Sequence, residues 1–186
     1  SFFENAEILL MLCLLNCIDN PTRDIYFAGA LKSPIYNFSL NELIEIRKER
    51  DNCSLYEAFI AYSERTESPK CKYFLEKLDS YRKFSRAQAV DKLIWHIYRD
   101  TSLLSLVYDN TESGKSRLRR ANLMLLYDYA RKFESSSFKG LNNFIAYLND
   151  IISENDKFED AKTSSESENV VRIMSIHQSK GLEFPV

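Results

Sequence analysis

The helical period is the feature that most constrains what this chain can fold into. From residue 3 to residue 153, apolar residues recur mainly at spacings of three and four, the period of an amphipathic helix. Four glycines and four prolines among 186 residues favour long helices over frequent turns. The predicted helices span residues 3–17, 22–31, 39–47, 54–62, 68–81, 89–98, 115–133 and 137–153, with a short helical or irregular piece at 102–108. We therefore expect an all-α domain of seven or eight helices.

Two helix starts are marked by a specific local pattern. Ser39 with Glu42, and Ser54 with Glu57, have the spacing of a capping box. In that motif the serine hydroxyl and the glutamate carboxylate each accept a hydrogen bond from the other residue's backbone N–H. The pattern predicts the starts of the third and fourth helices.

The apolar stripes predict which side chains face the core. Trp95 and His96 lie in an apolar helix, so a packed position is expected for both, and for His96 it is favoured over a role as ligand or base. The other side chains expected to point inward are Tyr73, Leu75, Leu78, Tyr81, Leu93, Ile94, Ile97, Tyr98, Leu118, Leu123, Leu126, Tyr127, Ala130, Leu141, Phe144, Ile145, Leu148 and Ile152.

Charge and cysteine usage narrow the class of protein. The net charge of −2 provides no global basic field, so any contact with DNA must be local. No Cys-x-x-Cys pattern or nearby histidine completes a zinc set, which favours free thiols in a reducing compartment. No signal peptide or membrane-spanning apolar run is found, and a cytoplasmic protein is expected.

The most basic stretch of the chain is a cluster of four cations at the start of a predicted helix, namely Lys115, Arg117, Arg119 and Arg120. Two interpretations stay open: a solvated helix face, or a surface that binds the phosphates of DNA. Cations at a helix N-terminus oppose the helix dipole, which mildly favours an external anionic partner.

The last seventeen residues differ from the rest. Residues 170–176 are apolar and rich in β-branched side chains, which is typical of a buried strand. Polar residues suited to phosphate follow, among them Ser175, His177 and Lys180, with Gly181 permitting close backbone approach. A strand that leads into such a loop is typical of a nucleotide site at the edge of a parallel sheet. A strand and a loop do not make a domain, so we expect the chain to belong to a longer polypeptide.

A polar segment separates this tail from the helices. Residues 154–169 are mainly Glu, Asp, Lys, Ser, Thr and Asn, and Phe158 is almost the only apolar side chain. Such a composition cannot bury enough apolar surface to order itself firmly. The expected organisation is a helical domain at 1–153, an acidic flexible linker at 154–169, and the terminal strand and loop at 170–186.

The terminal sequence Arg-Ile-Met-Ser-Ile-His-Gln-Ser-Lys-Gly-Leu-Glu-Phe-Pro-Val resembles motif V of the UvrD-like superfamily 1 DNA helicases, and is most similar to their AddA (RexA) type. Ser175 stands where threonine is usual, and Gln178, where lysine is common, is given no role. Further AddA-like sequences lie at residues 31–34, 94–98, 120–123 and 137–141. The resemblance implies that the helices form domain 2B and that the terminal strand belongs to a truncated RecA-like α/β domain, 2A.

The resemblance also implies an activity. Proteins of this type are ATP-dependent 3′-to-5′ DNA helicases that act with an AddB/RexB-type nuclease subunit in double-strand-break repair. By similarity, Ser175 and His177 would contact the backbone of single-stranded DNA. Lys180 would approach the ATP phosphates, Gly181 would allow close approach, and Glu183 would accept hydrogen bonds from the ribose. ATP and Mg²⁺ would be the cofactors of the intact protein.

Several motifs needed for that activity are not found in these 186 residues. Neither a Walker A loop nor an acidic magnesium motif is found, and neither an arginine finger nor a nuclease motif. The chain alone is therefore expected to bind no cofactor and to lack ATPase and helicase activity. Two alternatives remain: a helical protein-interaction module that binds no DNA, and a UvrD/PcrA-type helicase without nuclease.

Overall fold

The computed structural model describes residues 2–106 and 113–167, and side chains within 2–105 and 115–154. A 3₁₀ turn, Phe2–Glu4, precedes the first α-helix. The described α-helices are α1 (Ala6–Asp19), α2 (Asp24–Lys32), α3 (Leu40–Lys48), α4 (Leu55–Thr66), α5 (Pro69–Ala87), α6 (Val90–Asp100), α7 (Leu103–Leu106), α8 (Ser113–Glu134) and α9 (Leu141–Ser167). No strand occurs in these two ranges. The all-α prediction is confirmed, and α7 is the short piece expected near residue 102.

Both predicted capping boxes are present. The Ser39 backbone N–H donates to Glu42 Oε2 at 2.7 Å, and the Glu42 N–H donates to Ser39 Oγ at 3.2 Å. The corresponding distances between Ser54 and Glu57 are 2.9 and 3.2 Å. A serine cap contributes about 1 kcal/mol to helix stability. These local contacts explain why α3 and α4 begin where the sequence predicts.

The chain divides into two compact units, residues 1–150 and 151–186. In the first unit α1 is the central helix and contacts α2, α5 and α8. Apolar side chains around most of its circumference are buried, as expected for a helix enclosed by others. Gly29 lets α2 approach closely, because a Cβ there would lie 2.5 Å from the Cys13 sulfur.

An aromatic cluster joins α2, α4 and α5. The rings of Phe27, Phe59 and Phe74 are mutually edge-to-face, with centroids 5.4–5.5 Å apart. All three side chains are buried, and Phe38 contacts both Phe59 and Phe74. Each such pair contributes about 0.5–1.5 kcal/mol beyond the apolar area that it buries. The cluster is the best-packed part of the first unit.

Three side chains predicted to face the core are exposed instead. Tyr73 is 51%, Leu118 59% and Trp95 38% exposed. In each helix the core-facing residues keep spacings of three and four, and these side chains fall outside that stripe. Phe74 and Ile94, the immediate neighbours of Tyr73 and Trp95, occupy buried positions. Leu75, Tyr127 and Ile152 are half-buried.

The second unit is described only up to residue 167. Helix α9 runs from Leu141 to Ser167, so the backbone of residues 154–167 is helical where the sequence predicts a loop. Helical hydrogen bonds are local and need no core, and Glu, Lys and Ala in this segment favour the helix. The role of residues 154–169 as a connection between domains stays a prediction, and the predicted strand lies outside the described residues. None of the described helices combines the length and hydropathy that a membrane span requires.

Candidate nucleic-acid interface

Helix α8 carries the cations of the predicted phosphate-binding cluster. Lys115, Arg117, Arg119 and Arg120 lie in its first two turns, and all four side chains are exposed. The sequence named these residues but left their surroundings open. The structure places all four in contact with solvent.

The four cations occupy two faces of α8. Lys115 and Arg119 are four residues apart, so their side chains lie one above the other on one face. Arg117 and Arg120 are three residues apart and share a second face. A DNA backbone that lies against one side of the helix therefore meets one pair more closely than the other.

The helix is fixed to the core by two buried hydrogen bonds. Asn122 Nδ2 donates to Glu7 Oε1 at 2.7 Å, which joins α8 to α1. Tyr98 donates its hydroxyl to the Leu123 carbonyl at 2.7 Å, which joins α6 to α8. Buried polar groups are costly to leave unpaired, so both contacts restrain the position of α8. The exposed cations thus project from a firmly held helix.

A groove of about 760 Å³ lies beside the Arg119 side of α8. Its lining is mainly apolar and includes Leu9, which is 48% exposed, while Lys32 and Arg119 contribute charge. The Ser33 hydroxyl lines the groove, is buried, and has no hydrogen-bond partner in the described part of the chain. Sequence reasoning missed this groove because its residues come from segments far apart in the chain.

His96 is a packing residue. Its ring stacks on Phe84 with centroids 4.4 Å apart and an angle of 6°, and Tyr81 meets it edge-on at 5.8 Å. The predicted packed position of His96 is thus seen, although the side chain is only half-buried. Trp95 lies on the outer side of the same helix and contacts Tyr127 at 5.3 Å.

A polar contact on the other side of α6 joins it to α5. Lys77 Nζ lies 2.8 Å from Asp100 Oδ1, and the Tyr81 hydroxyl donates to the same carboxylate. Burial acts to raise the pKa of Asp100, but the hydrogen bonds from Lys77 and Tyr81 outweigh it and leave that pKa lowered. The same contact raises the pKa of Lys77. This cluster has a structural role, since each charged group has its partner inside it.

The cysteines are free thiols with packing roles. Burial raises the pKa of the Cys17 thiol to about 12, and it also raises the pKa of Cys13 and Cys71. A thiol with a raised pKa is a poor nucleophile. Among the described residues, no three His, Cys, Asp or Glu side chains are grouped so that they could hold a metal ion.

The residues predicted to contact ATP and single-stranded DNA lie outside the described residues. They are Ser175, His177, Lys180, Gly181 and Glu183. Their roles rest on the motif alone and stay predictions. The described part of the site is therefore the basic start of α8 and the surfaces around it.

Comparison with known proteins gives closely similar relatives over the whole chain. The AddA/RexA subunit of the ATP-dependent helicase/nuclease of Acetivibrio thermocellus is 44% identical over 188 residues, which cover all of this chain and 15% of that protein. The proteins of the same name from Clostridium beijerinckii and Geobacillus kaustophilus are 41% and 40% identical, also over the full chain, which covers 16% and 15% of their lengths. The chain thus spans less than a sixth of these relatives.

The family comparison covers the same extent. The model of the UvrD-like helicase C-terminal domain matches residues 1–186. Together with identities of 40% and above to the relatives, this match agrees with the terminal motif and with the all-α architecture. The chain belongs to the UvrD-like helicase C-terminal domain family.

Proposed function

We propose that the chain is the 2B-type helical region, with the following motif V, of an ATP-dependent 3′-to-5′ DNA helicase subunit in a helicase–nuclease complex. One observation carries the proposal: the 44% identity over the entire chain to the AddA/RexA subunit of an ATP-dependent helicase/nuclease. The nuclease partner would be of the AddB/RexB type. Repair of double-strand breaks would be the process in which the complex acts.

The terminal motif would couple the nucleotide to DNA. Ser175 and His177 can donate hydrogen bonds to phosphate oxygens without reading base sequence. Lys180 would place a compact positive charge near the ATP phosphates, where negative charge develops during phosphoryl transfer. Gly181 would permit close backbone approach, and Glu183 would accept hydrogen bonds from the ribose. ATP and Mg²⁺, when bound to the intact protein, would supply the phosphoryl-transfer chemistry.

The start of α8 would contact the DNA backbone. Its four exposed cations support this role, because exposed Lys and Arg side chains can neutralise phosphates and release counterions. The helix is held by its buried contacts with α1 and α6, so its cations need no refolding to meet DNA. Either pair of cations can face a duplex or a single strand.

Unwinding by the longer parent protein tests this function. The parent should unwind a duplex with a 3′ single-stranded tail and leave one with a 5′ tail largely intact. The K180A variant should lose ATP hydrolysis, and S175A/H177A should weaken binding to single-stranded DNA while retaining nucleotide binding. Equal unwinding of both substrates would contradict the polarity, and full ATPase activity in K180A would contradict the assigned role of that lysine.

The 186-residue chain alone should show no ATPase activity, because the phosphate cradle and the magnesium ligands are not found in it. A phosphate-release assay with saturating Mg-ATP, with and without single-stranded DNA, checks this expectation. Turnover above the buffer background that survives repurification would contradict it.

An apolar patch supports a second candidate, a contact with another protein surface. Ile25, Leu40 and Ile44 on α2 and α3 are 83%, 62% and 44% exposed, and part of this surface borders a hollow of about 360 Å³. Exposed apolar clusters often mark protein contacts. Under this candidate I25S/I44S should weaken assembly with the partner subunit in pull-down assays and leave DNA affinity unchanged, whereas R117E/R120E should do neither.

A further inference from the structure

We infer that a polar groove lined by Arg82 and Arg86 binds the backbone phosphates of DNA. The inference rests on the proposed DNA-binding function, but the surface is distinct from the basic start of α8. The groove consists of two hollows of about 200 and 280 Å³ that share Asn142 in their walls. The first is lined by both arginines, and the second by Arg23 and Tyr26. We call the two hollows together the arginine groove.

The cations of α5 differ in their partners. Lys77 pairs with Asp100 at 2.8 Å, and Lys83 pairs with Asp79 at 2.6 Å. In contrast, the guanidinium groups of Arg82 and Arg86 form no ion pair or hydrogen bond with the described residues. Arg82 is half-buried and Arg86 is exposed. Both line one small hollow, so their charges add at the same place.

The one carboxylate in the groove does not neutralise these two charges. Asp19 Oδ2 lies 3.3 Å from the Arg23 guanidinium and accepts a hydrogen bond from Asn142 Nδ2 at 3.3 Å. Its charge is therefore balanced by Arg23. Arg82 and Arg86 remain as uncompensated positive charge in a chain whose net charge is −2.

The donors in the groove suit a phosphate. A guanidinium presents a planar fork of N–H groups that binds phosphate in a bidentate manner. Asn142 Nδ2 has a second hydrogen to donate, and the hydroxyl of Tyr26 is a further donor in the adjoining hollow. Arginine, asparagine and tyrosine are among the side chains that contact phosphate and sugar in protein–DNA complexes. The groove therefore fits a sugar–phosphate backbone rather than an apolar protein surface.

Paired charge-removal variants of the 186-residue chain test the inference. Dye-labelled DNA of about 20 nucleotides, single-stranded in one series and duplex in the other, is titrated in salt from about 50 to 300 mM. R82Q/R86Q should lower affinity at least about tenfold at the lowest salt and make the salt slope shallower by about 1.5, since each lost phosphate contact removes roughly 0.7–0.9. The series with the larger loss identifies the form of DNA that the groove binds.

The matched control is K72Q/K83Q, which removes two charges from exposed residues of the same helix outside the groove. Its affinity should stay within about twofold of the unaltered chain, because electrostatic contacts with phosphate are local at these salt concentrations. R82K/R86K keeps both charges and should retain the salt slope. All three variants should keep the melting temperature of the unaltered chain, because the altered side chains are exposed or half-buried.

Three results would overturn the inference: unchanged affinity in R82Q/R86Q, an equal loss in K72Q/K83Q, or no DNA binding by the unaltered chain at the lowest salt. Failure of the proposed function would appear separately, as absence of unwinding by the full-length parent. Loss of affinity in R117E/R120E with full affinity in R82Q/R86Q would leave DNA binding at α8 intact and remove the arginine groove alone.

Discussion

The first turns of α4 and α8 have opposite charges. In α4, Ser54 and Glu57 form a capping box, and the carboxylate lies where the helix dipole favours negative charge. The first turn of α8 contains no acidic residue, and Lys115 and Arg117 bring positive charge to the same end of the dipole. The first arrangement stabilises its own helix, whereas the second slightly destabilises it.

This difference separates residues that hold the fold from residues available for binding. Helix α8 tolerates an unfavourable start because Asn122 and Leu123 tie it to α1 and α6 by buried hydrogen bonds. Charge that does not serve folding is expected where an external anion supplies the compensation. We therefore expect substitutions in the packed core to change stability and substitutions at the start of α8 to change DNA affinity.

The largest effect is expected in the aromatic core. Phe74→Ala should lower the free energy of unfolding by about 3–5 kcal/mol, because it removes a buried ring and leaves a cavity. Urea denaturation followed by circular dichroism measures the change. Tyr73→Ala is the matched control, since its side chain is 51% exposed and should cost less than about 1 kcal/mol. Similar losses in both variants would contradict the assigned burial.

Charge reversal at α8 should have the converse result. R117E/R120E should lower DNA affinity at least about tenfold at low salt, because two attractive charges become repulsive, and leave unfolding within about 0.5 kcal/mol of the unaltered chain. Fluorescence anisotropy and urea denaturation measure the two quantities. R131E/K132E, at the other end of the same helix, changes charge equally and should retain most of the affinity. Comparable affinity losses in the two variants would point to net charge rather than to a local surface.

A smaller effect is expected at the capped helix start. Ser54→Ala should lower stability by about 1 kcal/mol, because the Glu57 N–H loses its acceptor. Thermal unfolding should show a lower melting temperature with unchanged DNA affinity. Ser105→Ala, at an exposed serine outside any capping box, should have little effect. No difference between these two variants would show that the capping box contributes nothing.

The smallest expected effect depends on pH. Because the folded pKa of Asp100 is lowered, its contribution is complete above the unfolded value of about 3.9 and is lost as pH falls through the folded pKa. Asp100→Asn should therefore be less stable at neutral pH and should lose less stability on acidification. Melting temperatures between about pH 2 and 7 measure this difference. Exposed Asp79 is the control, and an acid response in D79N equal to that of D100N would contradict the assignment.

Local signals made most of the helical architecture predictable. Proline, asparagine and the capping boxes act through neighbouring residues, so the bounds of α3 and α4 could be predicted from short segments. The exposed positions of Trp95 and Leu118 could not, because the face that a helix buries depends on helices elsewhere in the chain. The helical extension of α9 was missed because a polar composition was interpreted as a loop.

The candidate site was only partly predictable for the same reason. The cations of α8 form a cluster in the sequence and were identified there. The arginine groove was not, because Arg82 and Asn142 lie sixty residues apart and meet only in the fold. The search for unpaired cations therefore required the ion pairs of Lys77 and Lys83 for comparison.

The most direct test of DNA binding by this chain is the salt dependence of its affinity for a duplex with a 3′ single-stranded tail. Anisotropy of a dye on the DNA should show binding at about 50 mM salt that weakens steeply as salt rises, because released counterions drive the association. A linear fall of the logarithm of affinity against the logarithm of salt, reduced in slope by R117E/R120E, is the predicted result. Absence of binding at the lowest salt would contradict it and would leave the helical region as a protein-docking element.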